Sequence, residues 1–131
     1  MQVRLARKRG FCFGVEDAIE LAQHTLRSHE PGKVVALGPV IHNPQVVEDL
    51  ERAGLNQSAN LEELPAGTTV LIRSHGAGPE TYARAAEKEL SIVDATCVLV
   101  KRAQTVVKQL HEEGYKVIMI GDANHPEVKG V

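Results

Sequence analysis

Five side chains able to bind metals or anions stand in turn-forming stretches of this sequence: Cys12, His42, His75, Cys97 and His125. Cys12 is the most informative, because Gly10 and Gly14 flank it where a helix is predicted to begin. Glycines permit a tight turn and close approach of another group, and the positive end of a helix favours a thiolate. On this stretch alone, a buried apolar cysteine is an equal alternative to a reactive one.

Three kinds of site are compatible with two thiolates and three imidazoles. They could hold zinc in a hydrolase. They could hold an iron–sulfur cluster, although two cysteines are fewer than the usual four. They could also divide the work, with thiolates at a metal centre and histidines beside helix N-termini binding a phosphate or diphosphate. Glu127, two residues beyond His125, adds a carboxyl group able to carry a proton.

The elements that must position these residues alternate between strand and helix. Apolar runs predict strands at residues 2–6, 33–37, 68–73, 91–93 and 116–120. Helical spacing and capping residues predict helices at residues 15–29, 44–53, 79–90 and 97–113. This alternation predicts an α/β fold with a mainly parallel sheet in a three-layer α/β/α arrangement. Each of the five candidate residues follows one strand, so we expect all five at the carboxyl edge of the sheet.

Composition narrows the function further. The 131 residues carry a net charge of −2 and contain two Phe, two Tyr and no Trp, which disfavours nucleic acid and anionic membranes as partners. No apolar run approaches the length of a signal peptide or a membrane span, so we expect a cytoplasmic protein. In that reducing compartment, two cysteines are better explained as ligands or reactive thiols than as a disulfide.

Taken together, these segments resemble the 4-hydroxy-3-methylbut-2-enyl diphosphate reductase family of iron–sulfur enzymes in non-mevalonate isoprenoid (terpenoid) biosynthesis. Each motif is weak alone, but they occur in the family's order and approximate spacing. The matching motifs are Arg9-Gly10-Phe11-Cys12-Phe13-Gly14-Val15, His42-Asn43, Ser74-His75-Gly76, Asp94-Ala95-Thr96-Cys97 and His125-Pro126-Glu127-Val128.

The resemblance implies a role for each candidate residue. Cys12 and Cys97 would ligate a 4Fe-4S cluster, while His42, His75 and His125 would line a diphosphate pocket. His125 and Glu127 would act in catalysis, with Glu127 relaying protons as the substrate hydroxyl leaves as water. An oxidoreductase of this family yields isopentenyl and dimethylallyl diphosphate, and the resemblance implies a ferredoxin or flavodoxin as electron donor.

Two departures from the family pattern qualify this expectation. Val98 stands where the family often has proline, and we expect little effect of that change. The chain also has about half the family's length and lacks a third cysteine ligand. We therefore expect an N-terminal fragment, inactive alone, with residues 1–96 as a first α/β unit and 97–131 as the truncated beginning of a second. In this scheme the N-terminal strand, within residues 1–13, feeds the central site.

Two alternatives stay open beside this resemblance: a zinc-dependent phosphohydrolase and a non-catalytic, anion-binding remnant. The first would contain zinc and need no electron donor. The second would carry no metal and bind pyrophosphate weakly. Whichever holds, a truncated chain is expected to expose apolar surface and to self-associate.

Overall fold

The computed structural model describes residues 1–131 and contains one four-stranded parallel sheet with the strand order β2-β1-β3-β4. This arrangement confirms the predicted α/β fold. The strands are β1 (Val34–Leu37), β2 (Asn56–Ser58), β3 (Thr69–Ile72) and β4 (Ser91–Asp94). The helices are α1 (Phe13–Ser28), α2 (Pro44–Arg52), α3 (Pro79–Glu87), α4 (Val98–Glu112) and α5 (Pro126–Lys129), with a short 3-10 helix at Leu61–Glu63.

Helices cover both faces of the sheet, because side chains of successive strand residues point to opposite faces. On one face, Ala36 and Leu71 pack in a core cluster with Ala18 of α1. On the other face, Ile72 packs in a second cluster with Ala85 of α3. These two clusters account for the predicted three layers.

The chain leaves β1 and β3 in opposite directions. Helix α2 leads from β1 to the edge strand β2, whereas α3 leads from β3 to the other edge strand, β4. Strands β1 and β3 are neighbours, so a crevice forms between their carboxyl ends where the two connections diverge. Such a switch point is the usual ligand site of an open parallel sheet.

Two predicted strands are wrong for this structure. Residues 2–6 and 116–120 form no strand, and their side chains are exposed. The sheet ends at β2 and β4, and neither segment lies in register with another strand. Apolar alternation gives a segment the tendency to form a strand, but backbone pairing with a neighbour is needed to form one. The predicted division into units at residue 97 remains a prediction.

Helix α2 shows how local sequence fixes an element at the switch point. The Asn43 side chain caps the helix by accepting a hydrogen bond from the Val46 backbone N–H at 3.2 Å. Pro44 occupies the first turn, where its missing N–H removes no intrahelical bond. The predicted cap is thus confirmed, and it fixes the residue that follows His42.

None of the helices combines the length and the apolar character that are needed to cross a membrane.

Candidate functional site

Three of the five candidate residues form one cluster of imidazole rings. The ring centroids of His42 and His75 are 4.2 Å apart, and that of His125 lies 5.9 Å from His42 and 5.8 Å from His75. These residues are 33 and 50 positions apart along the chain. The fold therefore brings them together, as the sequence predicted. We call these three residues the histidine cluster.

The histidine cluster lies at the switch point because two of its members follow the diverging strands. His42 stands between β1 and α2, and His75 stands between β3 and α3. The two loops are joined through Ser74, whose backbone N–H and hydroxyl both donate to the Val40 carbonyl, at 3.1 and 3.0 Å. This buried link holds the His42 and His75 loops side by side.

His75 is the buried member of the cluster. Only 8% of its surface is exposed, and its Nδ1 has no hydrogen-bond partner. Burial, followed by the nearby charges of His42, Arg73 and His125, lowers the pKa of His75 from 6.5 to about 4. The ring is therefore neutral at neutral pH and keeps an unused polar atom in a site that also contains Arg73.

His125 is held in a defined tautomer by its own turn. It caps α5, and its Nδ1 accepts a hydrogen bond from the Glu127 backbone N–H at 3.3 Å. An accepting Nδ1 carries no proton, so the neutral ring carries its proton on Nε2 and donates from there. Glu127 lies two residues further along the same turn, and its side chain is exposed.

The two cysteines occupy equivalent places at the N-termini of two helices. Cys12 is the N-cap of α1 and Cys97 is the N-cap of α4, and neither side chain makes a capping hydrogen bond. The Cys97 Sγ packs directly against Gly14, where a side chain would collide with it. The first turn of α1 therefore contacts the Cys97 thiol, so the chain brings its two cysteine-bearing turns together.

Asp94 fixes the turn that presents Cys97. Its Oδ1 accepts hydrogen bonds from the Thr96 backbone N–H, at 2.9 Å, and from the Thr96 hydroxyl. Its Oδ2 lies 2.8 Å from Lys101 Nζ. Burial alone would raise the pKa of Asp94, but the bonds from Lys101 and Thr96 outweigh it and the pKa is lowered. Asp94 thus stays ionised and anchors the turn.

The thiols and the imidazoles form two neighbouring groups rather than one ligand set. No group of three or more His, Cys, Asp or Glu side chains is arranged to hold a metal ion. The backbone connects the two groups, because the Cys97 N–H donates to the Ser74 carbonyl at 2.9 Å. Of the arrangements open from the sequence, this geometry fits the one in which thiols and histidines have separate tasks.

The cysteines suit an iron–sulfur cluster in their chemistry but do not complete its ligand set. Both thiols lie at helix N-termini, and the Cys97 Sγ fills the space beside Gly14. The chain contains two cysteines in total, whereas such clusters are commonly held by four. The two cysteines would therefore supply only part of such a ligand set.

Sequence reasoning missed two residues beside the histidine cluster. Arg73 directly follows β3, and burial lowers its pKa. Its Nη1 lies 3.1 Å from the position that a Cβ would take at Gly38. Gln104 of α4 lies near Gly76, the residue after His75. A charged residue at the end of a buried strand is a signal available in the sequence for Arg73, but nothing in the sequence distinguishes Gln104.

One large cavity lies beside this chemistry rather than at it. It measures about 990 Å³ and is bounded by α4 and by the segment from Tyr115 to Val117. None of the candidate residues lines it. We therefore locate the candidate site by the histidine cluster and the cysteine turns, not by cavity size.

Known protein sequences include relatives that match this chain over its whole length. A profile of the LytB protein family matches residues 3–131. The 4-hydroxy-3-methylbut-2-enyl diphosphate reductase of Geobacter metallireducens is 47% identical over 131 residues, covering 100% of this chain and 45% of that protein. The chain spans about half the length of the curated relatives it matches.

Solved structures show the same likeness in three dimensions. The E-1-hydroxy-2-methyl-but-2-enyl-4-diphosphate reductase of Plasmodium falciparum superposes with a TM-score of 0.89 at 35% identity, covering 95% of this chain and 39% of that one. An (E)-4-hydroxy-3-methyl-but-2-enyl diphosphate reductase, the terminal enzyme of the non-mevalonate pathway, gives a TM-score of 0.81 at 47% identity, covering 92% and 42%.

Proposed function

Because the chain belongs to the LytB protein family, we propose that it takes part in the reductive dehydroxylation of 4-hydroxy-3-methylbut-2-enyl diphosphate. In this proposal the chain contributes the diphosphate pocket and part of the cluster-binding site. The reaction yields isopentenyl and dimethylallyl diphosphate, and the activity belongs to the larger assembly of which this chain corresponds to about half. The observation that carries the proposal is the histidine cluster at the switch point.

The histidine cluster suits a diphosphate for a definite electrostatic reason. The three ring centroids lie within 6 Å of each other. Burial is the main reason that protonation of His75 is disfavoured, and the rings of His42 and His125 and the Arg73 guanidinium add to it. A bound diphosphate would reverse that effect, since its negative charge favours protonated imidazoles. It would also provide acceptors for ring N–H groups such as Nε2 of His125, and a partner for the unpaired Nδ1 of His75. The cluster would thus bind the anion with uptake of protons.

The cysteine turns would hold a 4Fe-4S cluster through Cys12 and Cys97, with the remaining ligands supplied from outside this chain. When bound, such a cluster supplies the electrons for removal of the hydroxyl group. His125 would donate to the substrate from Nε2, and the exposed Glu127 carboxyl would deliver the proton with which the hydroxyl leaves as water. A ferredoxin or flavodoxin as electron donor, and a cytoplasmic location, belong to the same proposal.

Calorimetric titration with pyrophosphate tests the binding half of the proposal. We expect saturable binding that weakens at least tenfold in His42→Ala and His75→Ala, because each removes a donor to the anion. His111→Ala is the matched control, since His111 lies on the exposed part of α4. Equal affinities in all four proteins would refute a pyrophosphate site at the histidine cluster.

Anaerobic reconstitution with iron and sulfide tests the part of the proposal in which Cys12 and Cys97 ligate a cluster. We expect iron below the stoichiometry of a full cluster in the wild-type chain, and a further loss in Cys12→Ser and in Cys97→Ser. Retention of the same iron content by both variants would contradict the assignment of these ligands. A full cluster with catalytic turnover by the chain alone would show that two cysteines suffice.

A further inference from the structure

We propose that Gln104 is a positioning residue that sets the separation between His75 and His125. The side chain extends from α4. The proposal depends on how Gln104 packs against two glycines, Gly76 and Gly130, each of which is tied to one of these histidines.

The carboxamide of Gln104 occupies space that both glycines leave free. A Cβ on Gly130 would come within 2.8 Å of Gln104 Nε2, and a Cβ on Gly76 would come within 3.0 Å of the same atom. A Cβ at Gly130 would require the Gln104 carboxamide to shift, and a Cβ at Gly76 would press on the same group. Gln104 is therefore wedged between the backbones of two turns that are far apart in sequence.

Each turn carries one member of the histidine cluster. Gly76 directly follows His75. Gly130 is the C-cap of the short helix α5, whose N-cap is His125. Two backbone hydrogen bonds of 3.0 Å, from Lys129 N–H to the His125 carbonyl and from Gly130 N–H to the Pro126 carbonyl, link Gly130 to His125. The width of the Gln104 side chain thereby determines how far apart the two histidine-bearing turns lie.

Packing rather than hydrogen bonding holds the Gln104 amide in place. Its Nε2 is buried and has no hydrogen-bond partner. A surface glutamine on the same helix behaves differently, since Gln109 donates to Glu113 at 2.8 Å. Gln109 is therefore a suitable control, being the same residue type on the same helix without contact to either glycine.

Proton nuclear Overhauser contacts between the histidine rings give a direct readout of the geometry. In Gln104→Ala we expect the contact between His75 and His125 to strengthen, because the side chain that keeps the two turns apart is gone. The contact between His42 and His75 should persist, since Ser74 and Val40 join those loops independently of α4. Gln109→Ala should retain both contacts. A His75–His125 contact of unchanged strength in Gln104→Ala would overturn the proposal.

A second variant keeps the test decisive if Gln104→Ala destabilises the chain. Gly130 has φ −82°, so alanine is allowed there by the backbone, and the atom nearest to the new Cβ is Gln104 Nε2, ahead of the Pro126 and Ala77 carbonyls. We expect Gly130→Ala to weaken the same ring contact, and to weaken it less when Gln104→Ala is also present. Additive effects of the two changes would contradict a shared space between these residues.

The consequence for ligand binding rests on the proposed function and is measured separately. If the histidine cluster binds pyrophosphate, Gln104→Ala should lower its affinity about tenfold, as expected when one charge-assisted contact is lost. Altered ring contacts with no pyrophosphate binding even in the wild type would uphold the positioning role and reject the binding site. Unaltered ring contacts with weakened binding would reject the positioning role.

Discussion

The sulfur of Cys97 lies against the Cα of Gly14, where any side chain would collide with it. This contact joins the first turn of α1 to the N-terminus of α4, and Cys12 lies two residues before Gly14. Glycine is needed here for close approach, not for an unusual backbone conformation, since Gly14 is part of a regular helix. The spacing of the cysteine motif is thus explained by a contact with the second cysteine.

Replacement of Gly14 by alanine should therefore destabilise the chain. In most helices a glycine-to-alanine change stabilises by up to about 1 kcal/mol. Here the overlap with Cys97 Sγ should reverse the sign and cost about 1–3 kcal/mol, as overpacking does elsewhere. Urea denaturation of the variant and the wild type measures the difference.

The matched control for this change removes the sulfur. In a Cys97→Ala background the space beside Gly14 is open, so Gly14→Ala should cost less or become stabilising. A stabilising effect of Gly14→Ala in the wild-type background would show that Cys97 moves away freely.

Stability should fall as the pH is lowered through the range in which His75 titrates. Burial, with the charges of His42, Arg73 and His125, lowers the pKa of His75 from 6.5 to about 4. The unfolded chain then binds a proton that the folded chain excludes, so stability is highest above pH 6.5 and declines toward pH 4. The loss from this group amounts to at most about 3 kcal/mol.

Denaturation curves at several pH values check this prediction. His75→Gln removes the titrating group, so its stability should depend less steeply on pH between 6.5 and 4. Identical pH dependence in the variant and the wild type would contradict the placement of a neutral, buried ring at this position.

Loss of Asp94 should loosen the turn that carries Cys97. Asp94→Ala removes the acceptor of two Thr96 hydrogen bonds and the partner of Lys101, and should cost about 1–3 kcal/mol. The rate of alkylation at Cys97 should rise at the same time. Asp49→Ala is the control, because its ion pair with Arg52 is exposed and should change stability by less than about 0.5 kcal/mol. Equal effects of both variants would refute an anchoring role.

The chain should self-associate through the apolar segment at residues 115–120. Ile118 is 78% exposed and Ile120 is 95% exposed, and no strand pairs with this segment. Sedimentation should show association at tens of micromolar that is reduced by Ile118→Lys with Ile120→Lys. Lysines at the exposed Gln23 and Gln45 add the same charge elsewhere and should leave association unchanged. A monomeric wild-type chain would contradict this prediction.

Local sequence was sufficient to predict three of the four strands, β1, β3 and β4, whereas the edge strand β2 is polar and weakly patterned. The Asn43-Pro44 start of α2 and the apolar runs of β1 and β3 carry their own signals, and the structure confirms them. The segment at residues 116–120 shows the limit of such reasoning. It has a strand-like composition, yet a strand also requires a neighbour, and sequence pattern does not reveal where the neighbour is.

The same distinction applies to the candidate site. The order of strands and histidines in the sequence was enough to predict that His42 and His75 meet, whereas His125 joins them although the strand predicted before it does not form. The separation of the thiols from the imidazoles was one of the three arrangements that the sequence allowed. The contacts of Gln104 with Gly76 and Gly130 depend on packing between turns that are distant in sequence, so no local sequence pattern predicts them.

Imidazole NMR during a pyrophosphate titration tests the central claim most directly, since the chain carries its own controls. Of its six histidines, His42, His75 and His125 form the cluster, whereas His24, His29 and His111 lie outside it. We predict that the three cluster resonances shift saturably and in parallel, with protonation of His75 favoured by the bound anion. Uniform shifts of all six resonances, or no shift in the cluster, would contradict a diphosphate site at the switch point.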